Sequence, residues 1–398
     1  TLALNDPEIT GGVLLPDGVW GVNLAAARLN FPDKGLKCQI PPWNNMDEGD
    51  KVELLLHGAV MDQKTIYDAS EIGERVTLFV PPNRLLTGAS TLSYKVTRFS
   101  QRPEEGPTLT LFVKLELPGG QDTDPDYGHS ELAIAFLPEN VVRDGVDKDN
   151  VKDGVVVIVA PKSGSGLPYP NAAVGDVIHV GWAGQTVLSA PLTQAQVDAP
   201  DANPVRILID EATLLAAGDS DLAGLSVSYM IRDRVLNQSE DWCKEARIIV
   251  DTGNSRLLAP ILEQADGLIL DLEKLGDDLP LLKVWAEDSN EFSRGDVIVM
   301  RLTGTTAEDK SVDIVVRQSI DKNPPVEVDI LHSNPGLRSL GTRSAIYSYG
   351  LERNGKIIQR SKSRTITVVG EPTRLAAPIA LDAPQGALDP DAANYRIR

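Results

Sequence analysis

The stretch EGDKVELLLHG, residues 48–58, recurs twice along the chain and decides its fold. The two further copies are VGDVIHVGWAG at residues 174–184 and RGDVIVMRLTG at residues 294–304. After each Gly-Asp, every second residue is apolar, while the residues between them vary from Glu53 to His179 and Arg301. One fixed apolar face with a period of two is typical of a half-buried β-strand. The repetition, at intervals of about 120 residues, predicts a tandem array of one structural unit.

Three further segments follow each copy in the same order. They are a second alternating strand, a Ser-Tyr pair with an apolar residue two places on, and a β-branched closing strand. These segments lie at 76–80, 205–209 and 326–330, at 93–96, 228–231 and 348–351, and at 109–113, 247–250 and 364–369. The units therefore occupy residues 1–118, 119–252 and 253–371, and the incomplete start of a fourth occupies residues 372–398.

The fold class that these patterns predict is all-β. Only Thr193 to Val197 and Asp210 to Ala216 favour a short turn or two of helix. Seven or so short strands per unit, frequent turn signals and a tyrosine on a late strand are typical of an immunoglobulin-like β-sandwich. We expect a buried core that includes Leu54, Val80, Val180, Trp182, Ile209, Met300 and Ile330. Tyr94, Tyr229 and Tyr349 should superpose, with their rings against the core.

On these residues the sequence resembles the large tandem Ig-like repeat proteins of bacteria. Their copies carry a Gly-Asp-led strand, here Gly49-Asp50, Gly175-Asp176 and Gly295-Asp296, followed by the alternating strand and the Ser-Tyr strand. The resemblance covers nearly the whole chain. It implies an adhesin-like array at the cell surface or outside the cell, while the antibody-type cysteine pair is absent.

Composition excludes several classes of partner. The net charge of -19 and the pI near 4.7 oppose binding to phosphate backbones or anionic lipid. No run of 18 apolar residues indicates a membrane span. The chain also lacks a P-loop, GxGxxG and GxSxG, and His57, His129, His179 and His332 show no metal-ligand spacing, so we expect no enzyme.

The tripeptide Arg294-Gly295-Asp296 matches the cell-attachment motif, but the aligned triplets retain only Gly-Asp. The glycine and aspartate therefore indicate a turn into the strand and not an attachment site. The sequence Asn237-Gln238-Ser239 matches a glycosylation sequon of low specificity.

Clustered carboxylates in the middle unit predict a calcium site at a domain joint, because hard cations prefer oxygen ligands. The candidate ligands are Asp122, Asp124, Asp126, Asp147 and Asp149. A helix-loop-helix calcium loop is excluded, since Gly128 stands at the seventh place and Ala133 at the twelfth. The alternative is a solvated acidic linker. The middle unit carries most of the negative charge, which also directs any basic partner there.

Two functional hypotheses follow. In the first, the array is a non-enzymatic stalk or surface fibre that projects a domain or mediates contact with a cell-surface ligand. Such a rod predicts short joints and no pocket. In the second, the middle unit, with its extra loop 185–204, binds a carbohydrate or a cation. Expected partners are further units of a longer chain or other copies that complete the segment 372–398 by strand addition, and we favour a longer chain.

Overall fold

The computed structural model describes residues 4–161 and 166–370. Three hydrophobic cores follow one another along the chain, and each lies between two β-sheets. We call the surrounding sandwiches units 1, 2 and 3. The predicted all-β class with Ig-like sandwiches is confirmed. The expected fourth unit lies outside the described residues.

Unit 1 pairs its strands in the orders β1-β4-β7 and β2-β3-β10-β8-β5-β6, with β9 on β8. The strands are β1 Glu8–Ile9, β2 Val13–Leu14, β3 Trp20–Val22, β4 Leu36–Ile40, β5 Lys51–Leu56, β6 Ala59–Thr65, β7 Val76–Val80, β8 Gly88–Thr97, β9 Glu104–Glu105 and β10 Leu109–Val113. A π-helical turn at Ala25–Leu29 and 3₁₀ turns at Ala69–Glu71 and Pro82–Arg84 complete the unit.

Unit 2 has the sheets β11-β13-β16 and β15-β14-β17-β18, with a separate pair β12-β19. Its elements are β11 Ala133–Leu137, α1 Val141–Asp144, β12 Val146–Asp147, a 3₁₀ turn Val151–Asp153, β13 Val155–Ala160, β14 Val177–Trp182, β15 Gln185–Leu188, α2 Gln194–Asp198, β16 Val205–Ile209, α3 Glu211–Ala217, β17 Leu225–Arg232, β18 Ala246–Ile248 and β19 Val250–Asp251. Thr193 caps α2 through a capping box and Asp210 caps α3, so both predicted helical turns are confirmed.

Unit 3 repeats the scheme as β20-β22-β25 and β21-β28-β26-β23-β24, with β27 on β26. Its elements are β20 Ile261–Leu262, β21 Ile269–Asp271, α4 Leu272–Leu275, β22 Leu281–Ala286, β23 Val297–Thr305, β24 Ser311–Ser319, β25 Val326–Leu331, α5 Asn334–Arg338, β26 Ser344–Arg353, β27 Lys356–Arg360 and β28 Arg364–Val369.

The strand register is the same in all three units. Tyr94 lies opposite Leu54, Tyr229 opposite Val180 and Tyr349 opposite Met300 in the antiparallel pairs β5-β8, β14-β17 and β23-β26. These six side chains and the other predicted core residues are buried, which confirms that list. The hydroxyls of Tyr94 and Tyr229 donate to the carbonyls of Asn5 and Ala133, at 2.6 and 2.9 Å. These bonds tie the late strand to the start of the sandwich in units 1 and 2.

Each Gly-Asp pair builds the same turn. The glycines Gly49, Gly175 and Gly295 have φ angles of 88°, 93° and 93°, which favour glycine. The following aspartate is buried, and its carboxylate accepts the backbone N–H three residues earlier, as Asp296 does from Ser293 at 2.8 Å. The carboxylate of Arg294-Gly295-Asp296 therefore faces the protein and not a partner. We call the end of a unit that carries this turn its tip and the opposite end its base.

We expect Gly295→Ala to lower the free energy of unfolding by roughly 1–2 kcal/mol, because an L-residue is strained at this positive φ. A Cβ at this position would meet no atom within 4 Å, so the loss measures backbone strain alone. Denaturant unfolding measures it, with the exposed Lys322→Ala as control. Equal midpoints for the two variants would contradict the prediction.

Candidate functional site

Buried charged side chains lie at both joints, where consecutive units meet. At the first joint, the tip of unit 2 packs against the base of unit 1. Asn23 Nδ2 donates to the Val235 carbonyl at 3.1 Å, and the Leu24 N–H donates to Asn237 Oδ1 at 2.9 Å. Asn237 Nδ2 in turn donates to the Lys114 carbonyl at 2.9 Å. Asn237 is buried by these contacts, so the sequon amide is occupied in the folded array.

A buried charge cluster lies at the centre of the first joint. Lys114 follows the closing strand of unit 1 and is only 8% exposed. Its Nζ lies 3.2 Å from Asp233 Oδ2 and 3.7 Å from Asp176 Oδ1, and both carboxylates belong to unit 2 and are fully buried. These are ion pairs without hydrogen-bond geometry at the ammonium. One unit thus supplies the cation for two carboxylates of the next.

The carboxylates differ in how else they are satisfied. Asp233 accepts the N–H groups of Val235 and Asn237, at 3.0 and 2.8 Å. Asp176 accepts the Tyr169 hydroxyl and the Ala173 N–H, each at 3.0 Å. Burial raises the pKa of Asp176, and the neighbouring Lys114 acts against that rise. The ionised form of Asp176 therefore depends on the ammonium of unit 1.

The second joint is built around a stacked arginine. The Arg343 guanidinium of unit 3 lies 3.8 Å from the centroid of the Trp242 ring of unit 2, and its Nη1 donates to Ser228 Oγ at 3.0 Å. Trp242 Nε1 donates to the Ala307 carbonyl of unit 3 at 3.1 Å. Burial lowers the pKa of Arg343 to about 10, so the side chain stays cationic at neutral pH. This is a desolvated cation–π contact.

Further contacts make the second joint broad. His179 Nδ1 lies 2.6 Å from Asp309 Oδ2, and Arg247 Nη1 donates to the Thr365 carbonyl at 2.9 Å. The side chain of Ile346, in unit 3, belongs to the core cluster of unit 2. Residues 225–231 of β17 are all buried, because the base of unit 3 covers the outer face of this sheet. His179 therefore joins unit 2 to unit 3 at this joint.

A cleft opens beside the second joint, and we call it the joint cleft. Its volume is about 540 Å³. Unit 2 contributes one wall through α3 and the turn at Ala183, and unit 3 contributes a floor from the outer face of its larger sheet. Both polar and apolar residues line the cleft. They include Gln185, Leu215, Val299, Arg301, Thr303, Val315, Ser348, Ile357, Arg360 and Ser361. The rod hypothesis predicts no pocket, and the joint cleft is the feature of the structure that departs from this expectation.

The candidate calcium ligands fall into two separate groups. Asp122 Oδ1 accepts the N–H groups of Asp124 and Ser130, and Asp124 Oδ1 accepts that of Asp126, each at 3.0 Å. This loop lies beside Glu240, whose carboxylate accepts the Asp122 N–H.

The second group, Asp147 and Asp149, lies farther along the same unit. Asp147 accepts the Asp149 N–H at 2.8 Å, and its backbone pairs with Asp251 at the end of the closing segment. The structure thus does not bring the two groups together. Within residues 4–161 and 166–370, no three His, Cys, Asp or Glu side chains are placed to hold a metal ion. The calcium site stays a prediction.

Sequence reasoning missed Lys114, Asp233 and Arg343 as joint residues. A signal for Asp233 existed, because the residue that faces the turn aspartate is Arg98 in unit 1 and a second aspartate in unit 2. The partner of that aspartate lies 119 positions earlier in the sequence and in another unit. Alignment of the repeats therefore shows that an arginine is replaced by Asp233, but it does not show that Lys114 neutralises this aspartate.

No family model matches the sequence, and no curated protein matches it. Solved structures give distant similarities. A Ca²⁺-stabilised adhesin that helps an Antarctic bacterium bind ice is 14% identical, with 95% of this chain and 76% of that chain covered and a TM-score of 0.26. The fibronectin(III)-like modules of Clostridium thermocellum CbhA are 11% identical, with 62% and 95% covered and a TM-score of 0.33.

A tetra-tandem repeat from the extending region of a large adhesion protein is 12% identical, with 87% and 73% of the two chains covered and a TM-score of 0.21. The structural neighbours thus include bacterial adhesin repeats and fibronectin-III-like modules. Similarities this distant carry no functional argument. In the described part of the chain, no helix has the length and hydropathy needed to cross a membrane.

If calcium binds the Asp122–Asp126 loop, millimolar calcium should raise the thermal midpoint over that in EDTA, since a ligand stabilises the state that binds it. A free calcium concentration of 100 times Kd corresponds to a stabilisation of the folded state by about 2.7 kcal/mol. The variant Asp124→Asn/Asp126→Asn should lose this rise of the midpoint. The variant Asp147→Asn/Asp149→Asn, which changes the second group of carboxylates, should keep it. An unchanged thermal midpoint at millimolar calcium would contradict the prediction of a calcium site.

Proposed function

We propose that the chain is a non-enzymatic structural array of Ig-like units with fixed joints, which acts as a stalk or fibre in cell-surface interaction. The observation that carries the proposal is that both joints bury charged groups shared between units. Lys114 is buried against Asp176 and Asp233 at the first joint, and Arg343 is buried against Trp242 at the second.

Buried charges favour fixed geometry because each needs its partner at one position. Relative motion of domains is the default where interfaces are small and polar groups stay hydrated. Separating these units would remove the cation beside Asp176 and Asp233 and break the stack of Arg343 on Trp242, so these contacts favour the docked arrangement. The array should therefore keep one arrangement of its units in solution. A spacer that holds a binding surface at a distance requires such a fixed arrangement.

The acidic surface supports a role outside the cell or at its surface. A net charge of -19 keeps such an array soluble and opposes sticking to anionic envelopes. The expected partners are further units of a longer chain, other copies of this chain and a cell-surface ligand. None of these roles needs a catalytic group.

Small-angle X-ray scattering tests the fixed joints. The wild-type curve should fit one arrangement of the three units. The variant Arg343→Ala/Asp309→Ala removes two contacts of the second joint, so we expect a larger maximum dimension and a curve that requires several arrangements. The control Arg206→Ala/Asp321→Ala removes the same charges from exposed positions. A wild-type curve that already requires several arrangements would contradict the proposal.

A second candidate function is favoured by the joint cleft. Its volume of about 540 Å³ lies in the range of small-molecule sites. Arg301 is held by Asp313 through Nε at 2.8 Å, while Arg360 lines the same cleft. Ser348, Ser361 and Gln185 add hydroxyl and amide groups beside the apolar side chains of Val299 and Leu215. Such a mixture suits a carbohydrate.

Titration of the protein with neutral and uronic-acid disaccharides, followed by NMR, tests this function. We expect saturable shifts that Leu215→Trp abolishes by filling the cleft. The matched control is Leu222→Trp, because Leu222 is 89% exposed in the same unit and lies outside the cleft lining. No shift with any sugar, or equal loss in both variants, would overturn the carbohydrate hypothesis.

A further inference from the structure

The tip of unit 2 differs in charge from the other two tips. The register of the paired strands places Arg98 across from Asp50, Asp233 across from Asp176, and Arg353 across from Asp296. In unit 3, Arg353 donates two hydrogen bonds of 2.8 Å to the Asp296 carboxylate. Unit 3 thus completes its turn with its own cation.

Unit 1 also completes its turn internally. The Asp50 carboxylate accepts Trp43 Nε1 at 2.8 Å and the N–H groups of Asp47 and Phe99, each at 3.2 Å. Arg98 stays in the same unit and pairs with Glu104 at 2.5 Å. The tips of units 1 and 3 therefore do not require a charge from a neighbour.

The tip of unit 2 instead buries two carboxylates side by side. Two like charges in a buried site oppose ionisation unless a cation lies close to both. Arg234, a cation of the same loop, packs beside Gly175, lies 5.6 Å from the Phe112 ring centroid and reaches Asp17 at 3.6 Å. Among the residues that the structure describes, Lys114 is the cation that lies within 4 Å of both Asp176 and Asp233.

The base of unit 1 is equally distinctive. Closing-strand residues Leu111, Ile248 and Ile366 pair with equivalent positions of the late strands, so the counterparts of Lys114 are Asp251 and Val369. Neither counterpart carries a positive charge. Among the three described units, a lysine follows the closing strand only in unit 1, and a carboxylate pair occupies the tip only in unit 2.

We infer that Lys114 is the specificity-determining residue of the first joint. The tip of unit 2 is a docking surface for a unit that presents a lysine directly after its closing strand. This charge match holds the tip of unit 2 against the base of unit 1, and unit 2 reaches its full stability only when it is docked. A unit with aspartate or valine at that position would leave two buried carboxylates without a cation.

Unfolding of the full chain tests the inference. Lys114→Met keeps the length of the side chain and removes its charge, so we expect the first thermal midpoint to fall by about 5–15 °C. The control Lys148→Met removes an exposed lysine from unit 2 and should change the midpoint by no more than about 1 °C. The double variant Lys114→Met/Asp176→Asn should recover much of the loss, because one buried negative charge disappears with the cation and the amide oxygen can still accept the Tyr169 hydroxyl and the Ala173 N–H.

The pH dependence separates charge from packing. The charged and titratable groups that face Asp176 are Lys114, Asp233 and Tyr169. A carboxyl whose folded pKa lies above its unfolded value favours folding at low pH, and this contribution is lost as pH rises through the folded pKa. Without Lys114 the pKa of Asp176 rises further, so the deficit of Lys114→Met should be large at pH 8 and shrink toward pH 5.

A deficit that does not change with pH, or no recovery in the double variant, would overturn the inference in favour of simple packing. If Lys114→Met yields no folded protein, Lys114→Arg and Lys114→Gln make the same comparison. Retained stability for arginine with loss for glutamine supports the charge match, and equal loss overturns it. Scattering on the same variants reports the fixed-joint proposal separately, since a destabilised tip and an opened joint need not occur together.

Discussion

A buried aspartate carboxylate at a glycine turn is the contact on which each unit depends. The turn leads into the central strand, and its positive φ and its amide-to-carboxylate bond set where that strand begins. Register then follows in the pairs β5-β8, β14-β17 and β23-β26, because one fixed residue pair determines the later pairs of an antiparallel ladder that has no bulge. The buried tyrosines opposite Leu54, Val180 and Met300 are placed by this same register.

The same carboxylate gains a second role in the middle unit. There the facing residue is Asp233, so the charge that would be neutralised within the unit is neutralised across the joint by Lys114. An element of local turn geometry thereby becomes an element of assembly. Burying two carboxylates without a cation would be costly. The same burial therefore favours the docked arrangement, in which Lys114 lies beside both carboxylates.

The second joint uses different chemistry for a comparable result. Arg343 stacks on Trp242, and the base of unit 3 covers a sheet face that is open to solvent in an isolated sandwich. This sideways packing also creates the joint cleft, since a wall from α3 stands beside the outer sheet face of unit 3. The stacked arginine and the joint cleft therefore arise from one interface.

The repeat pattern by itself determined the all-β class, the common order of the strands and the buried faces, because period-two apolar alternation and glycine turns depend on nearby residues. It also indicated that Asp296 serves a turn. Only the tertiary structure decided that Lys114 neutralises Asp233, that His179 meets Asp309 and that a cleft forms at Leu215. These contacts join residues of different units, and no local pattern records which surfaces meet.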